Sequence, residues 1–305
     1  LMVITALLSY ASTILLLRLQ SKTHGESLNE IASVIVNRKM GIAVSILTLC
    51  FTYAAQVAYL ILGGNLIEGW LAQLGKPEWG VGNPRKLVMF IYAHVLPVAL
   101  TIPKKMGFLN TASMAAIVFI LFYAVVVIVR FGQYIHVNPI EPTVETYRFG
   151  LELFNSLSVF SMIFVLPAVV LPLLVPYHPS LQKRTRLIGG AFAFCFSVIM
   201  IPSMLAYCMF GEDTKDLIFN NFPNSDKVVF VVKICFFFVI NASFPVVGIS
   251  VSTDLSALIY KVHDPARLTW GKRLICLALA NEPPVLIAML FAQSKPILEI
   301  GGSLG

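Results

Sequence analysis

The sequence predicts an all-α polytopic membrane protein, and three observations predict it. Of its 305 residues 58% are hydrophobic and 12% charged, where an ordinary soluble domain carries about 25% charge; mean hydropathy is +0.84. The apolar residues fall into eight runs, roughly 1–17, 41–63, 87–102, 108–129, 151–177, 187–210, 228–250 and 274–292, and a ninth begins near Pro296. Runs of this length suit helices that cross hydrocarbon, not strands. The segments between them alternate in charge. Those after the first, third, fifth and seventh runs hold thirteen of the 22 lysines and arginines, among them Arg18, Arg38, Lys104, Lys105, Arg184 and Arg273, and only four acids. The alternate segments hold Glu212, Asp213, Asp216 and Asp226. Basic residues are retained on the cytosolic side, so the first run is expected to travel from outside to inside.

The same charge excludes other classes. A net +7 would suggest nucleic acid in a soluble chain, but here it follows from the basic cytosolic loops, and no nucleic-acid partner is expected. The five cysteines (Cys50, Cys195, Cys208, Cys235, Cys276) all lie in apolar runs, so neither a disulfide framework nor a thiolate metal site is expected. No His-Glu-x-x-His pair and no phosphate loop occurs, and no enzyme, metal or organic cofactor is expected. An arginine ladder and a Thr-Val-Gly-Tyr-Gly filter are likewise missing. Residue 1 is a leucine inside an apolar run and the chain stops soon after Pro296, so the sequence reads as a fragment of a longer protein.

Taken in order, the first run leads into Gly25–Lys39. Ser27 and Glu30 have the spacing of a capping box, and Leu28, Ile31, Ala32 and Ile35 share one face. This predicts a short amphipathic helix at the cytosolic surface, or a connector packed under the bundle. In the second run Thr52, Tyr53, Gln56 and Tyr59 lie near one face and are candidates to line a substrate cavity; helix–helix contact is the plainer role. His94 precedes Leu96-Pro97 in the third run and reads as a lone packing histidine. The polar segment 131–150, with Pro139 and Pro142, is an outer connection.

Leu151–Pro179 is long enough to span but carries Pro167, Pro172 and Pro176, with Asn155, Ser156, Ser158 and Ser161 upstream. Each proline removes a backbone donor and clashes with the preceding turn. Exposed carbonyls and amides are tolerated at membrane depth only where they are buried in protein or line a wet cavity. Broken helices of this kind hold substrates and coupling ions in secondary transporters; a merely kinked helix is the alternative. In the seventh run Pro245 frees the carbonyl of Asn241, four residues earlier, beside Ser243. Small neutral oxygens so placed make a candidate site for a hard monovalent cation, with small-residue helix packing as the alternative. Lys233 can anchor at the membrane edge. Glu282, before Pro283-Pro284, is a candidate proton-coupling carboxyl, or a cap on the break those prolines make. Glu299 opens the ninth run, where a carboxylate also suits the helix dipole.

Four stretches resemble the amino acid/auxin permease family, within the amino acid–polyamine–organocation superfamily, and in particular its sodium-coupled neutral amino acid transporters and vacuolar relatives. They are Leu96-Pro97 followed by Lys104-Lys105-Met106-Gly107-Phe108-Leu109; Phe160-Ser161 followed by Pro167-Ala168-Val169-Val170-Leu171-Pro172; Ala206 to Phe210-Gly211; and Ser243-Phe244-Pro245-Val246-Val247. Leu166 stands where the family has a histidine, and Ser243 where it has a threonine. The resemblance implies an inverted-repeat (5+5) transporter fold with its helices 1 and 6 discontinuous, the present sequence covering about helices 2 to the start of 10. Residues 1–130 would then be the remainder of the first repeat (helices 2–5, helix 1 missing), 131–150 the outer connecting loop, and 151–305 the second repeat. By the same resemblance Phe160, Ser161, Met162 and Ile163 would offer backbone to the amino and carboxylate groups of an amino acid, and Ser243 with Asn241 would contribute to a sodium site.

The function expected is secondary active transport of amino acids by alternating access, coupled to sodium or protons by symport or antiport. The membrane would be the plasma membrane or a vacuolar or lysosomal one. The alternatives are a membrane-embedded amino-acid sensor with little flux and a transporter of another small organic ion. The partners expected are the amino acid substrate and the lipid bilayer, with no oligomeric state implied.

Overall fold

The computed structural model describes residues 1–23, 25, 28–103, 107–144, 150, 152–164, 180–215, 217–223, 225–262 and 265–304. Among them the chain forms ten α-helices and no strand. Six are long and apolar enough to cross a membrane. These are α1 (Met2–Thr23), α3 (Arg38–Gln73), α5 (Gly107–Ile135), α7 (Leu181–Phe210), α8 (Lys227–Tyr260) and α9 (Trp270–Leu290). Between α1 and α3 lies α2 (Leu28–Ile35), the expected amphipathic helix. Its Ile31 is buried in a core shared with α1, α6 and α7. Gly41 lets α3 approach it, since a Cβ there would stand 2.8 Å from Asn29 O. Val34, Ile35 and Val36 stay exposed at its end. Ser27 of the expected capping box lies outside the described residues.

The third apolar run does not form a single helix. It is α4 (Gly82–Ala93), one wide π turn over His94–Val98, and a 3-10 turn over Ala99–Thr101. Pro97 has no N–H to give, so the regular ladder fails there and the chain takes a wider turn. The fifth run gives α6 (Glu152–Phe164). Pro167, Pro172 and Pro176 lie outside the described residues. The chain ends in α10 (Lys295–Leu304).

The second run continues well past the Gly63-Gly64 pair where the apolar sequence stops, making α3 36 residues long. Those glycines are contact surfaces. A Cβ at Gly63 would overlap the Tyr92 hydroxyl, and one at Gly64 would collide with Met89. Beyond them Glu68 is held by Arg85 of α4 at 2.7 Å, which keeps the last turns in place.

The helices pack as two bodies. Val57, Leu60, Ile61, Met89, Tyr92, Phe244 and Val285 join α3, α4, α8 and α9 in one core. Ala6, Leu17, Phe164, Ile188 and Phe192 join α1, α6 and α7 in another. Each body draws helices from both halves of the sequence. Three helices touch both bodies: α2 packs on α1 and α3, α5 on α7 and α8, and α10 on α3 and α6. Long apolar side chains such as Leu7, Met114, Val118 and Leu286 point outward. Such a surface suits lipid, and the protein is an integral membrane protein.

The outer connection docks on the end of α7. Glu141 N–H donates to Cys208 O (3.2 Å) and Glu212 N–H to the Thr143 hydroxyl (3.2 Å). Gly211 caps α7 at φ +52°, and a Cβ on it would overlap Thr143 Oγ1 and lie 2.9 Å from Glu141 Cγ. Glycine is therefore required twice here, for the backbone and for the contact. Gly211→Ala is expected to destabilise the protein by about 1–3 kcal/mol through overpacking and the strained φ. Thermal unfolding in detergent measures the loss, and faster proteolysis within 136–144 should accompany it.

Candidate functional site

Phe160, Ser161, Met162 and Ile163 are the last full turn of α6 before Phe164. The Ser9 hydroxyl of α1 donates to the Phe164 carbonyl, so the final carbonyl of the described helix bonds across to a neighbour. Phe164 itself is buried against α1 and α7. On its other side α6 meets α10 through glycines. A Cβ on Gly301 would stand 2.8 Å from Met162 Sδ and 2.7 Å from Ala54 Cβ of α3, and one on Gly302 would fall on the Ser158 carbonyl. The turn 160–163 thus lies where α6 and α10 meet α3, at the junction of the two bodies.

Thr52 and Gln56, one turn apart on α3, face the other way. They are about 200° of helix rotation from Ala54. Thr52 gives its hydroxyl back to Thr48 O (2.8 Å) and Leu49 O (3.0 Å). Gln56 is fully buried and lies against α8: a Cβ on Gly248 would be 3.1 Å from Gln56 Nε2, 3.2 Å from Thr101 Cγ2 and 3.4 Å from Asn281 Oδ1. Asn281 donates through Nδ2 to the Thr101 hydroxyl (3.1 Å) and to Leu277 O (2.8 Å). Both amide atoms of Gln56, and Asn281 Oδ1, are buried with no hydrogen-bond partner among the described residues. A polar cluster from four segments therefore sits inside the α3–α4–α8–α9 body, held together by the absence of a side chain at Gly248.

Helix α8 runs unbroken through Pro245. Asn241 is buried, donates to Phe237 O (2.8 Å) and lies beside the Tyr92 hydroxyl of α4. Ser243, two residues on, faces nearly the opposite direction and is half-buried. The side chains of Asn241 and Ser243 therefore do not converge. The Asn241 carbonyl, which Pro245 cannot satisfy, is the oxygen that remains next to Ser243.

Helix α9 runs unbroken through Pro283-Pro284, so Glu282 caps no break there. Pro283 frees the Leu279 carbonyl, and the Tyr53 hydroxyl takes it at 2.5 Å. Along its length α9 is laced to α4 and the turns after it, in antiparallel register. Arg273 Nη2 reaches Ile102 O (2.6 Å), Asn281 reaches Thr101, His94 reaches Glu282 (3.2 Å), and Arg85 Nη2 reaches Phe291 O (3.4 Å). The opposed directions agree with the alternation that the loop charges require. His94 and Glu282 are thus partners, which single-run reading missed. The signal was available: two isolated ionisable residues at mid-depth in separate apolar runs, each beside a proline, are expected to find each other.

Among the described residues no three His, Cys, Asp or Glu side chains come together as a metal site would require. The terminal Gly301-Gly302-Ser303-Leu304-Gly305 has the spacing of a serine-nucleophile turn. Its described residues are helical, and Ser303 bonds back to Ile300 O (2.7 Å), so no strand-to-helix elbow presents that hydroxyl.

The chain is similar to amino acid transporter AVT6E of Arabidopsis thaliana, 24% identical over 320 residues that cover 98% of this chain and 63% of that protein. It is also similar to sodium-coupled neutral amino acid transporter 7 of Rattus norvegicus, 22% identical over 232 residues that cover 71% of this chain and 48% of that protein. It therefore spans less than two thirds of the length of either relative. A family model described as transmembrane amino acid transporter protein matches residues 1–305. With a full-length match, an all-helical membrane fold and a short α6 at the junction of two packed bodies, the chain belongs to the transmembrane amino acid transporter family.

Proposed function

We propose that the protein is a secondary active transporter of amino acids that works by alternating access. The observation that carries this is the division of the helices into two separately cored bodies, with α6 on one, α3 and α8 on the other, and α2, α5 and α10 touching both. Rocking of one such body against another around a fixed midplane site is how alternating access is achieved in inverted-repeat folds. The substrate's amino and carboxylate groups bind backbone at Phe160–Ile163, at that junction. Thr52 and Gln56 turn into the α3–α4–α8–α9 body, so they support the wall of the site from behind. The names of the two relatives favour an amino acid as the substrate.

A downhill cation supplies the bias, by binding one state of the cycle more tightly than the other. Sodium is held by Ser243 with the freed Asn241 carbonyl; the candidate carboxyl for protons is Glu282. The membrane is the plasma membrane or that of a vacuole or lysosome.

The test is uptake of a labelled amino-acid mixture by the full-length protein in proteoliposomes, with sodium and pH gradients imposed separately. Uptake under at least one gradient is expected. Ser243→Ala is expected to cut the sodium-driven part about tenfold, as loss of one ligand of a small cation site should, equivalent to about 1.4 kcal/mol of binding. No uptake under either gradient, with amino-acid binding retained, would overturn transport in favour of a sensor.

A further inference from the structure

We propose that His94 and Glu282 form a binding site for a single proton, built into the seam between α4 and α9. The argument is one of donors and acceptors. His94 Nδ1 lies 2.9 Å from the Phe90 carbonyl. A carbonyl only accepts, so Nδ1 carries a hydrogen. The other ring nitrogen, Nε2, is 3.2 Å from Glu282 Oε1. If the imidazole is neutral and the carboxylate ionised, two lone pairs face each other across that distance. The contact is attractive only when one further proton lies between them, on Nε2 as imidazolium with carboxylate, or on Oε1 as carboxylic acid with imidazole. Both arrangements hold the same single proton, and both are neutral as a pair.

The surroundings fix this arrangement. The Phe90 ring lies against the imidazole, with centroids 4.2 Å apart and planes inclined by 38°, and the Phe90 carbonyl selects the tautomer. His94 opens the wide π turn, so its position depends on that turn. Both residues lie about two thirds of the way along their segments, at mid-depth of the seam. A net charge at such depth is costly. The pair avoids that cost with the proton bound, and incurs it when the proton leaves.

Among the described residues no other charged group pairs with either partner. On α3, Glu68 is taken by Arg85 of α4, whose Nη2 goes to Phe291 O. Arg273 of α9 is spent on Ile102 O, and Tyr53 of α3 on Leu279 O. Lys233 and Asp254 of α8 form no ion pair with it among the described residues. The side chains remain 30% and 45% exposed, so neither partner is sealed inside the helix bundle. The site itself stands on geometry. Its use as the coupling site for protons rests on the transporter reading above.

The first measurement is an infrared pH-difference titration of the full-length protein in nanodiscs. Carboxyl and imidazole bands are expected to change together with one apparent midpoint, as coupled groups do. Glu282→Gln is expected to remove the carboxyl band, and His94→Gln to uncouple the remaining carboxyl band from any imidazole change. Bands that titrate independently in the unaltered protein, or a Glu282 band identical in a stably folded His94→Gln protein, would overturn the site. The second measurement is uptake. Glu282→Gln is expected to reduce uptake driven by a pH gradient about tenfold, within the range for a lost proton-transfer group, while counterflow exchange at equal pH on both sides persists. Undiminished pH-driven uptake in Glu282→Gln would overturn the coupling role. No uptake by the unaltered protein would overturn the transporter reading instead, and the infrared titration would still decide the proton site.

Discussion

Replacing Gly302 by alanine is expected to destabilise the protein by about 1–3 kcal/mol, the range for overpacking, and to cut uptake more than the same change at any other described glycine. The reason is that the obstacle is backbone. A Cβ on Gly302 would fall on the carbonyl of Ser158, not on the flexible end of a side chain. It can be accommodated only if α10 moves off α6. Small residues are what allow helix backbones to approach this closely in membranes. Ser158 is two residues before Phe160, so the displacement would be felt in the turn assigned to the substrate. The neighbouring Gly301 presses on Met162 of the same turn and on Ala54 of α3, which makes α10 a wedge touching both bodies. Gly190 in α7 is the control. Nothing lies within 4 Å of a Cβ there, so Gly190→Ala should be stabilising by up to about 1 kcal/mol from helix propensity alone. Thermal unfolding and uptake, measured side by side on the two variants, check this. A Gly302→Ala protein as stable and active as Gly190→Ala would place α10 away from α6.

The helical membrane architecture was legible because hydrocarbon imposes it. Length and apolarity marked the six long helices, and loop charge required the antiparallel runs that the α4–α9 seam displays. Two boundaries went astray for identifiable reasons. Gly63-Gly64 ends the apolar run, yet the glycines are there to admit Tyr92 and Met89, and α3 continues to Gln73. The run 87–102 reads as one helix, but Pro97 divides it into α4, a π turn and a 3-10 turn. The candidate site was legible only in part. Helical period says which residues share a face, and it grouped Thr52 with Gln56 correctly. It does not say which neighbour that face meets. Asn281 and Gly248, more than 190 residues away in sequence, decide that Gln56 points away from α6. His94 illustrates the same limit. Alone in its run it looks like packing, and only the register of α4 against α9 shows the carboxyl opposite. The end of α6 bears most on function, but its prolines lie outside the described residues, so that part of the expectation stands on sequence and resemblance.

Gln56→Leu is expected to raise stability by about 1–3 kcal/mol while lowering uptake. Gln56 is completely buried, and neither of its amide atoms has a hydrogen-bond partner among the described residues. A buried polar group left unpaired costs about 1–3 kcal/mol, and leucine has nearly the same volume with no polar atom to satisfy. The exchange therefore removes a penalty without opening a cavity. Asn281 in the same cluster should behave oppositely. It donates to the Thr101 hydroxyl and to Leu277 O, so Asn281→Ala forfeits both bonds and leaves a void, at a cost of about 1–3 kcal/mol. Opposite signs at two adjoining carboxamides would show that the cluster is uneven: Asn281 ties α9 to the end of α4, whereas Gln56 is kept at a loss. A residue kept at a loss inside a body that otherwise packs well is expected to serve the transport cycle, and uptake by the stabilised Gln56→Leu protein measures that directly. If uptake is unchanged while the unfolding midpoint rises, the carboxamide has no role in transport, and Thr52 and Gln56 both belong to packing alone. If uptake falls in a protein that is more stable than the original, misfolding cannot explain the loss, and the wall behind the α6 turn takes part in the cycle.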